Sequence, residues 1–144
     1  MDKEIQIHSV EFLDERPLLE RIRIQVFVEE QGVPEYLEMD DRDEFCLHFL
    51  AFCDGLAVGT ARLDLGLNGK VGRLAVLQPY RGRGVGKSLM AFLHQSAWDL
   101  GLTGVWCHAQ LSAKGFYAQM GYTGEGAVFQ EAGIDHIAMR CIKH

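Results

Sequence analysis

The sequence predicts an α+β (mixed α/β) fold in which six to seven strands, mostly antiparallel with one central parallel pair, form one sheet flanked by about four helices. Two hairpin signals predict the antiparallel part. Asp54-Gly55 and Asn68-Gly69 each separate two apolar runs, and such dipeptides favour tight turns between neighbouring strands. The parallel pair is predicted by an amphipathic helix from Val85 to Leu100, because strands joined by a helical crossover run parallel.

The N-terminal half is predicted to form a strand, a helix and a three-stranded meander. Apolar and polar residues alternate from Ile5 to Phe12, which predicts a strand. Apolar residues at helical spacing after Pro17 predict a helix that begins at this proline. An acidic segment runs from Glu29 to Glu44. The meander strands are predicted at Cys46 to Cys53, Leu56 to Asp64 and Lys70 to Val76.

The C-terminal half begins with the predicted helix from Val85 to Leu100, which Gly101 should end. A short apolar run from Gly104 to Ala109 predicts the second strand of the parallel pair. The next segment, Ser112 to Met120, is predicted to be a short helix with Ser112 as its N-cap and Gly121 at its end. The last two strands are predicted at Tyr122 to Phe129 and His136 to Ile142.

Length and composition predict one domain over residues 1–144, because 144 residues with 48% hydrophobic content suit a single core. No apolar run approaches the ~20 residues that span a bilayer, and the N-terminus lacks a signal-peptide pattern, so we expect a cytoplasmic protein with no membrane partner. The four cysteines show no C-x-x-C spacing and should be buried free thiols. The histidines lack metal-ligand spacing, so no metal is expected.

A glycine-rich turn separates the strand ending at Val76 from the helix beginning at Val85. Gly82, Gly84 and Gly86 stand at alternate positions, where the missing Cβ lets the backbone approach a ligand closely. Amides exposed at a helix N-terminus attract anions, above all phosphates. The sequence therefore predicts a phosphate site at this turn.

The charge distribution supports an anionic ligand. No acidic residue occurs between Asp64 and Asp99, although the chain carries a net charge of −6. All five charged residues in that window are basic: Lys70, Arg73, Arg81, Arg83 and Lys87. Because nucleic-acid binding needs a net basic domain with an extended basic face, a small polyanion fits this window better than DNA or RNA.

Two commoner phosphate motifs fit the turn poorly. A P-loop requires a glycine five positions before Gly86, where Arg81 stands, and no later strand ends in a convincing magnesium-binding aspartate. A dinucleotide fingerprint requires G-x-G-x-x-G, whereas the glycines here follow G-x-G-x-G. A plain glycine-rich turn with solvated arginines is the remaining structural alternative.

The segment Arg81-Gly82-Arg83-Gly84-Val85-Gly86 resembles the coenzyme A pyrophosphate loop of the GNAT N-acetyltransferases. The segment from Gln110 to Tyr122 is similar to the later Asn-x-x-Ala-x-x-Phe-Tyr-x-x-x-Gly-Phe segment of that family. Two further segments, Val26 to Gln31 and Phe129 to His136, resemble the YjcF/ElaA-like branch. The resemblance implies a GNAT-like fold with a splayed parallel pair and acetyl-CoA or coenzyme A as cosubstrate.

The resemblance also implies roles for individual residues. Backbone groups of Leu74, Ala75 and Val76 would hold the pantetheine arm, and the Val76 amide would bind the thioester carbonyl. Gln110, which stands where the family often has asparagine, would contact pantetheine. Tyr117 would protonate the departing thiolate. Tyr117 could instead be a core aromatic residue. The residues implied for the pyrophosphate are Arg81, Gly82, Arg83, Gly84, Val85, Gly86 and Lys87.

An attacking amine must be neutral, so a base or a water relay is expected. The candidates are Glu30, His48, His108 and His136, of which His108 is favoured because it lies near the end of a strand that should line the gap. A satisfied structural histidine is the favoured alternative for His108. Carboxylates from Glu29 to Glu44, Glu30 among them, would either attract a cationic acceptor or form a solvated loop.

The function that these observations predict is transfer of an acetyl group from acetyl-CoA to a primary amine, on a small molecule or a peptide, by direct attack. A non-catalytic acyl-CoA-binding sensor is the alternative from a different class, because a fold alone does not establish turnover. A P-loop-like nucleotide-binding protein is a third. An exposed last strand could pair between subunits to give a homodimer.

Overall fold

The structure, a computed structural model, describes residues 4–144. Seven strands form one sheet in the order β1-β2-β3-β4-β5-β7-β6, and only β4 and β5 pair in parallel. This topology confirms the predicted mixed sheet with one parallel pair. The strands are β1 Ile5–Val10, β2 Leu47–Cys53, β3 Leu56–Asp64, β4 Lys70–Val76, β5 Gly104–Gln110, β6 Thr123–Glu131 and β7 Ile134–Ile142.

Four α-helices accompany the sheet, as predicted. They are α1 Phe12–Arg23, α2 Glu35–Glu38, α3 Val85–Asp99 and α4 Lys114–Gln119. A π-helix, Ile24–Glu30, continues α1 directly. Among the described residues, none of these helices combines the length and apolar character needed to cross a bilayer.

Two predicted helix starts are wrong. Helix α1 begins at Phe12, so the first strand ends at Val10, and Pro17 lies inside the helix rather than at its start. Proline lacks the N–H that would bond to the carbonyl one turn earlier, and the helix accommodates it with a kink at Glu15, where φ is −115°. Ser112 does not cap α4, because a 3₁₀ turn at Leu111–Ala113 precedes that helix.

Helices cover both faces of the sheet. Leu89, Leu93 and Ala97 of α3 are fully buried on one face. Leu19 and Ile22 of α1 are fully buried on the other. The central strand β3 is consequently buried along nearly its whole length. All four cysteines are free thiols, as predicted, and all but the half-buried Cys46 are buried.

The edge of the sheet differs from the prediction. The last strand, β7, lies inside the sheet between β5 and β6, so the exposed edge is β6. The Ala132-Gly133 turn, with both residues at positive φ, folds β7 back against β6, and the other edge of β7 pairs with β5. Pairing between subunits through an edge strand, which stays a prediction, would therefore use β6 rather than β7.

The parallel pair separates soon after it begins. Strands β4 and β5 pair only at Lys70 with Trp106 and at Val71 with Cys107. Strand β4 is then bulged at Arg73, whose φ is +50°, where its register with β3 shifts. Because a bulge bends its strand, the C-terminal halves of β4 and β5 diverge and leave a gap between them.

Candidate active site

The gap between β4 and β5 opens into a cleft of about 990 Å³. Most of the residues predicted to bind cofactor line this cleft: Leu74, Ala75, Val76, Arg81, Gly82, Gly84, Val85, Gly86, Lys87, Gln110 and Tyr117. His108 lines it as well. Arg83 and Glu30 lie outside the set of described residues that form its walls. The fold thus brings two distant sequence segments, the glycine turn and the Gln110 to Tyr117 region, to one site.

The glycine turn leads into the N-terminus of α3. Gly82 and Gly84 have φ values of +76° and +84°, a conformation that side chains disfavour, and open space lies where each Cβ would stand. Gly84 is the N-cap residue and provides no side-chain hydrogen bond, so the first amides of α3 are left for a ligand. A Cβ on Gly86 would approach Phe116 to 3.3 Å. The helix carries no acidic residue in its first turn, which keeps this end positive.

The arginines of the turn have other partners in this structure. Arg81 donates two hydrogen bonds to the Glu30 carboxylate, at 2.6 and 2.8 Å, and a third from Nε to the Val76 carbonyl. The hydrogen bonds from Arg81 lower the pKa of Glu30. The Arg83 guanidinium lies over the Tyr80 ring at 5.4 Å. Of the three predicted cations, Lys87 is the one that lines the cleft without an ion pair among the described residues.

Tyr117 lies in the floor of the cleft with 7% of its surface exposed. Its ring packs edge-on against Phe116 and Tyr122, and its hydroxyl forms no hydrogen bond with any described residue. Burial, aided by the neighbouring Cys107, raises the pKa of Tyr117. The phenol therefore keeps its proton throughout the physiological range.

The end of the π-helix connects the two walls of the cleft. Gln110 donates a hydrogen bond of 2.7 Å to the Gln31 side chain, and both residues line the cleft. Glu30, the preceding residue, holds Arg81 of the glycine turn. Rare π-helical turns often occur at functional sites. This one ends at Glu30 and Gln31, whose side chains contact residues of opposite walls, Arg81 and Gln110.

His108 is part of a cluster at the other wall. Its Nδ1 lies 3.1 Å from Glu131, and its ring packs edge-on against Trp106 and Phe129. The Glu131 carboxylate also lies 3.8 Å from Nε2 of His136. Glu131 thus sits between two of the histidines considered as bases, and all three residues line the cleft.

The sequence reasoning missed Glu131. Its only signal was its place in the Phe129 to His136 segment, whose hairpin geometry cannot be read from the residues alone. His48, another candidate base, is buried away from the cleft walls and contacts the Asp43 carbonyl at 2.7 Å. Burial lowers the pKa of His48.

The acidic segment forms neither an open anionic surface nor a wholly solvated loop. Glu38 and Asp43 are buried and bind the fully buried Arg23, while Asp40 binds Arg62 through two hydrogen bonds. Arg62 also binds Asp43, and the Asp64 carboxylate binds Arg42. The partners are distant in sequence, so spacing gave no indication of them. These ion pairs neutralise the carboxylates on this side of the cleft.

A glycine turn at one end of a gap between diverging parallel strands, with a buried phenol in that gap, is the arrangement that the resemblance to CoA-dependent acyltransferases implied. The family model described as "Acetyltransferase (GNAT) domain" matches residues 15–143. The chain therefore belongs to the GNAT family. This membership favours the acyl-CoA interpretation of the glycine turn over the nucleotide-binding one.

Individual relatives agree with this assignment. The Bacillus subtilis protein named uncharacterized N-acetyltransferase YjcF is 35% identical over 120 residues, covering 82% of this chain and 86% of that protein. The crystal structure of an acyl-CoA N-acyltransferase from Pseudomonas aeruginosa has a TM-score of 0.85 and 30% identity, covering 96% of this chain and 99% of that one. The Escherichia coli ElaA structure has a TM-score of 0.84 and 26% identity over the same shares. The predicted similarity to YjcF and ElaA is confirmed.

Proposed function

We propose that residues 1–144 form a single domain that transfers an acetyl group from acetyl-CoA to a primary amine by direct attack, without a metal. The observation that carries the proposal is the position of the glycine turn and Tyr117 on one continuous cleft between the diverging strands. An elongated ligand with a diphosphate at one end and a thioester at the other fits this arrangement. GNAT membership supports the choice of an acyl-CoA, and acetyl is the acyl group named by the family description.

Cofactor binding is assigned to backbone groups more than to side chains. The amides from Gly82 to Lys87 and the dipole of α3 would hold the diphosphate. Backbone groups of Leu74 to Val76 would pair with the pantetheine arm, as a strand edge does with an extended ligand. The Val76 amide would stabilise the negative charge that develops on the thioester oxygen, a contribution of about 3 kcal/mol for one well-placed donor.

The chemical steps use one acid and one base. The amine nitrogen attacks the thioester carbon and forms a tetrahedral intermediate, while His108 accepts a proton from that nitrogen. Collapse of the intermediate breaks the carbon–sulfur bond, and Tyr117 donates its proton to the leaving sulfur. Glu131 acts as a positioning residue, because its contact with Nδ1 leaves Nε2 of His108 available to the substrate. Gln110 would contact pantetheine after exchanging its bond to Gln31.

Glu30 as an acceptor-binding residue stays a prediction, and in this structure its carboxylate binds Arg81. The proposed acceptor is the primary amine of a small molecule or a peptide. A cytoplasmic location and a homodimer likewise stay predictions from the sequence.

The test is release of free CoA thiol from acetyl-CoA, measured with and without added amines. Tyr117→Phe should lower kcat by at least 100-fold, the usual lower limit for general acid–base catalysis, and leave the Kd for acetyl-CoA unchanged. Tyr122→Phe is the matched control, because Tyr122 is also buried and contacts the Tyr117 ring but binds His94 instead of lining the cleft. Binding of acetyl-CoA without any amine-dependent thiol release would favour the sensor alternative.

A further inference from the structure

The acceptor side of the cleft has two poles of opposite charge rather than one acidic surface. Three cleft-lining carboxylates, those of Glu38, Asp40 and Asp64, form ion pairs with arginines. Glu131 is different, because its neighbours in the cleft are the histidines His108 and His136. The negative pole therefore lies at the proposed base.

The positive pole lies at the start of β4. Lys70 lines the cleft and forms no ion pair with any described carboxylate. Its ammonium lies 5.3 Å from the centre of the Trp106 ring, and Trp106 is itself held by a 2.9 Å hydrogen bond from its indole N–H to the Leu67 carbonyl. Lys70 is thus an oriented cation that the carboxylates of residues 4–144 leave unneutralised.

Arg73, on the same strand, is paired with carboxylates of the protein. Its buried Nε does not meet hydrogen-bond geometry, but it lies 3.2 Å from the Glu38 carboxylate, with which Arg73 forms an ion pair. Its Nη2 is shared among the Leu37 and Glu38 carbonyls and Asp40, at 3.1 to 3.4 Å. Arg73 is therefore already neutralised by Glu38 and Asp40, unlike Lys70. Arg73 occupies the bulge of β4, where the gap begins.

The two poles flank one aromatic ring. The centre of the Trp106 ring lies 5.3 Å from the Lys70 ammonium and 5.4 Å from the centre of the His108 ring. Lys70 is close because it pairs with Trp106 across the parallel strands. His108 is close because it follows Trp106 by two residues and so lies on the same face of β5. A molecule with an amine and an anionic group a few bonds apart matches this separation. A polyamine would instead place a second cation beside Lys70.

We propose that the acceptor is a zwitterionic amine of the amino acid type, with its carboxylate held by Lys70 and its amine directed to His108 and Glu131. This inference rests on the proposed N-acyltransferase function. It differs from one of the two sequence-based alternatives for the acidic segment, in which the carboxylates would attract a cationic acceptor.

The experiment compares kcat/KM for acceptors in matched pairs: glycine with glycinamide, β-alanine with β-alaninamide and 4-aminobutyrate with its amide, with spermidine as a cationic comparison. At least one carboxylate should exceed its amide by tenfold or more. The difference in basicity favours the amide, because an α-amino amide has the less basic nitrogen and so the larger neutral fraction at pH 7. A faster carboxylate therefore cannot be explained by the amount of neutral amine.

Lys70→Met should raise KM for the preferred carboxylate about tenfold and leave KM for acetyl-CoA and for the amides unchanged. Lys70→Arg should restore most of the loss. Lys143→Met is the control, because Lys143 is exposed and lies outside the cleft.

Equal or faster turnover of amides or spermidine would overturn the zwitterion proposal and leave the N-acyltransferase function standing. Unchanged carboxylate KM in Lys70→Met would overturn it as well. Absence of thiol release with every acceptor would overturn the proposed function, and this inference with it.

Discussion

Asp40→Asn should destabilise the protein through the buried ion-pair network beside the cleft. The Asp40 carboxylate accepts hydrogen bonds from Nη1 and Nη2 of Arg62 at 2.9 and 2.6 Å, from Nη2 of Arg73 at 3.1 Å and from the Arg42 amide at 3.0 Å. Burial opposes ionisation of this carboxyl, but the hydrogen bonds and charge of Arg62 outweigh it and hold the pKa of Asp40 at about 2.

The expected magnitude follows from the difference between that pKa and 3.8, the ordinary value for an aspartate. Each tenfold change in the acid dissociation constant corresponds to about 1.4 kcal/mol, so the folded state gains about 2 kcal/mol from the ionised form. The unfolded carboxyl binds its proton at a higher pH than the folded one does. The gain is therefore complete above about pH 4 and is lost as the pH falls towards 2.

The assay is urea unfolding followed by the fluorescence of Trp98 and Trp106, at several pH values from 7 to 3. At pH 7 the variant should lose about 2 kcal/mol of unfolding free energy, and its melting temperature should fall by about 4 to 8 °C. The difference between wild type and variant should shrink below pH 4. Asp41→Asn is the control, because Asp41 is exposed and forms no hydrogen bond with a described residue. A loss below about 0.5 kcal/mol, or one that does not change with pH, would refute the reasoning.

Two further predictions concern the cleft. Glu131→Gln should lower kcat several-fold to about tenfold without changing KM for acetyl-CoA, because His108 loses the carboxylate that orients Nδ1. Glu131→Asp should recover part of the rate. Steady-state thiol release measures both variants. Glu30→Gln should tighten acetyl-CoA binding two- to fivefold at low salt, because it removes the carboxylate charge that neutralises Arg81 beside the proposed diphosphate site. Calorimetry measures the Kd. Weaker binding would show instead that Glu30 positions Arg81 for the ligand.

Local signals in the sequence were sufficient for much of the fold. The Asp54-Gly55 and Asn68-Gly69 turns, with both residues of each at positive φ, join the strands they were predicted to join. Strands Leu56–Asp64 and Lys70–Val76 have the predicted bounds. Pro17 misled the prediction of α1, because a proline can stand in the second turn of a kinked helix as well as at the first position of a helix.

The site was predicted less completely than the fold. The glycine turn and Tyr117 lie on the cleft as expected, because each belongs to a short segment with its own pattern. The Glu30–Arg81 pair, the Gln31–Gln110 bond and the contact of Glu131 with His108 were not predicted. Each contact joins residues far apart in the chain, and local sequence patterns do not indicate which distant residues will be in contact.

The sequence by itself determined the order of the elements, the glycine turn at the start of α3 and membership of the GNAT family, since these depend on turn chemistry, periodicity and short motifs that neighbouring residues encode. Only the tertiary structure decided which charges remain available in the cleft. The sheet and the bulge at Arg73 bring the carboxylates of the acidic segment onto arginines from α1, β3 and β4. They leave Lys70 without a carboxylate partner in the part of the chain that the structure describes. The electrostatic character of the cleft therefore depends on which charged residues pair across the fold, whereas composition gives only the net charge of the chain.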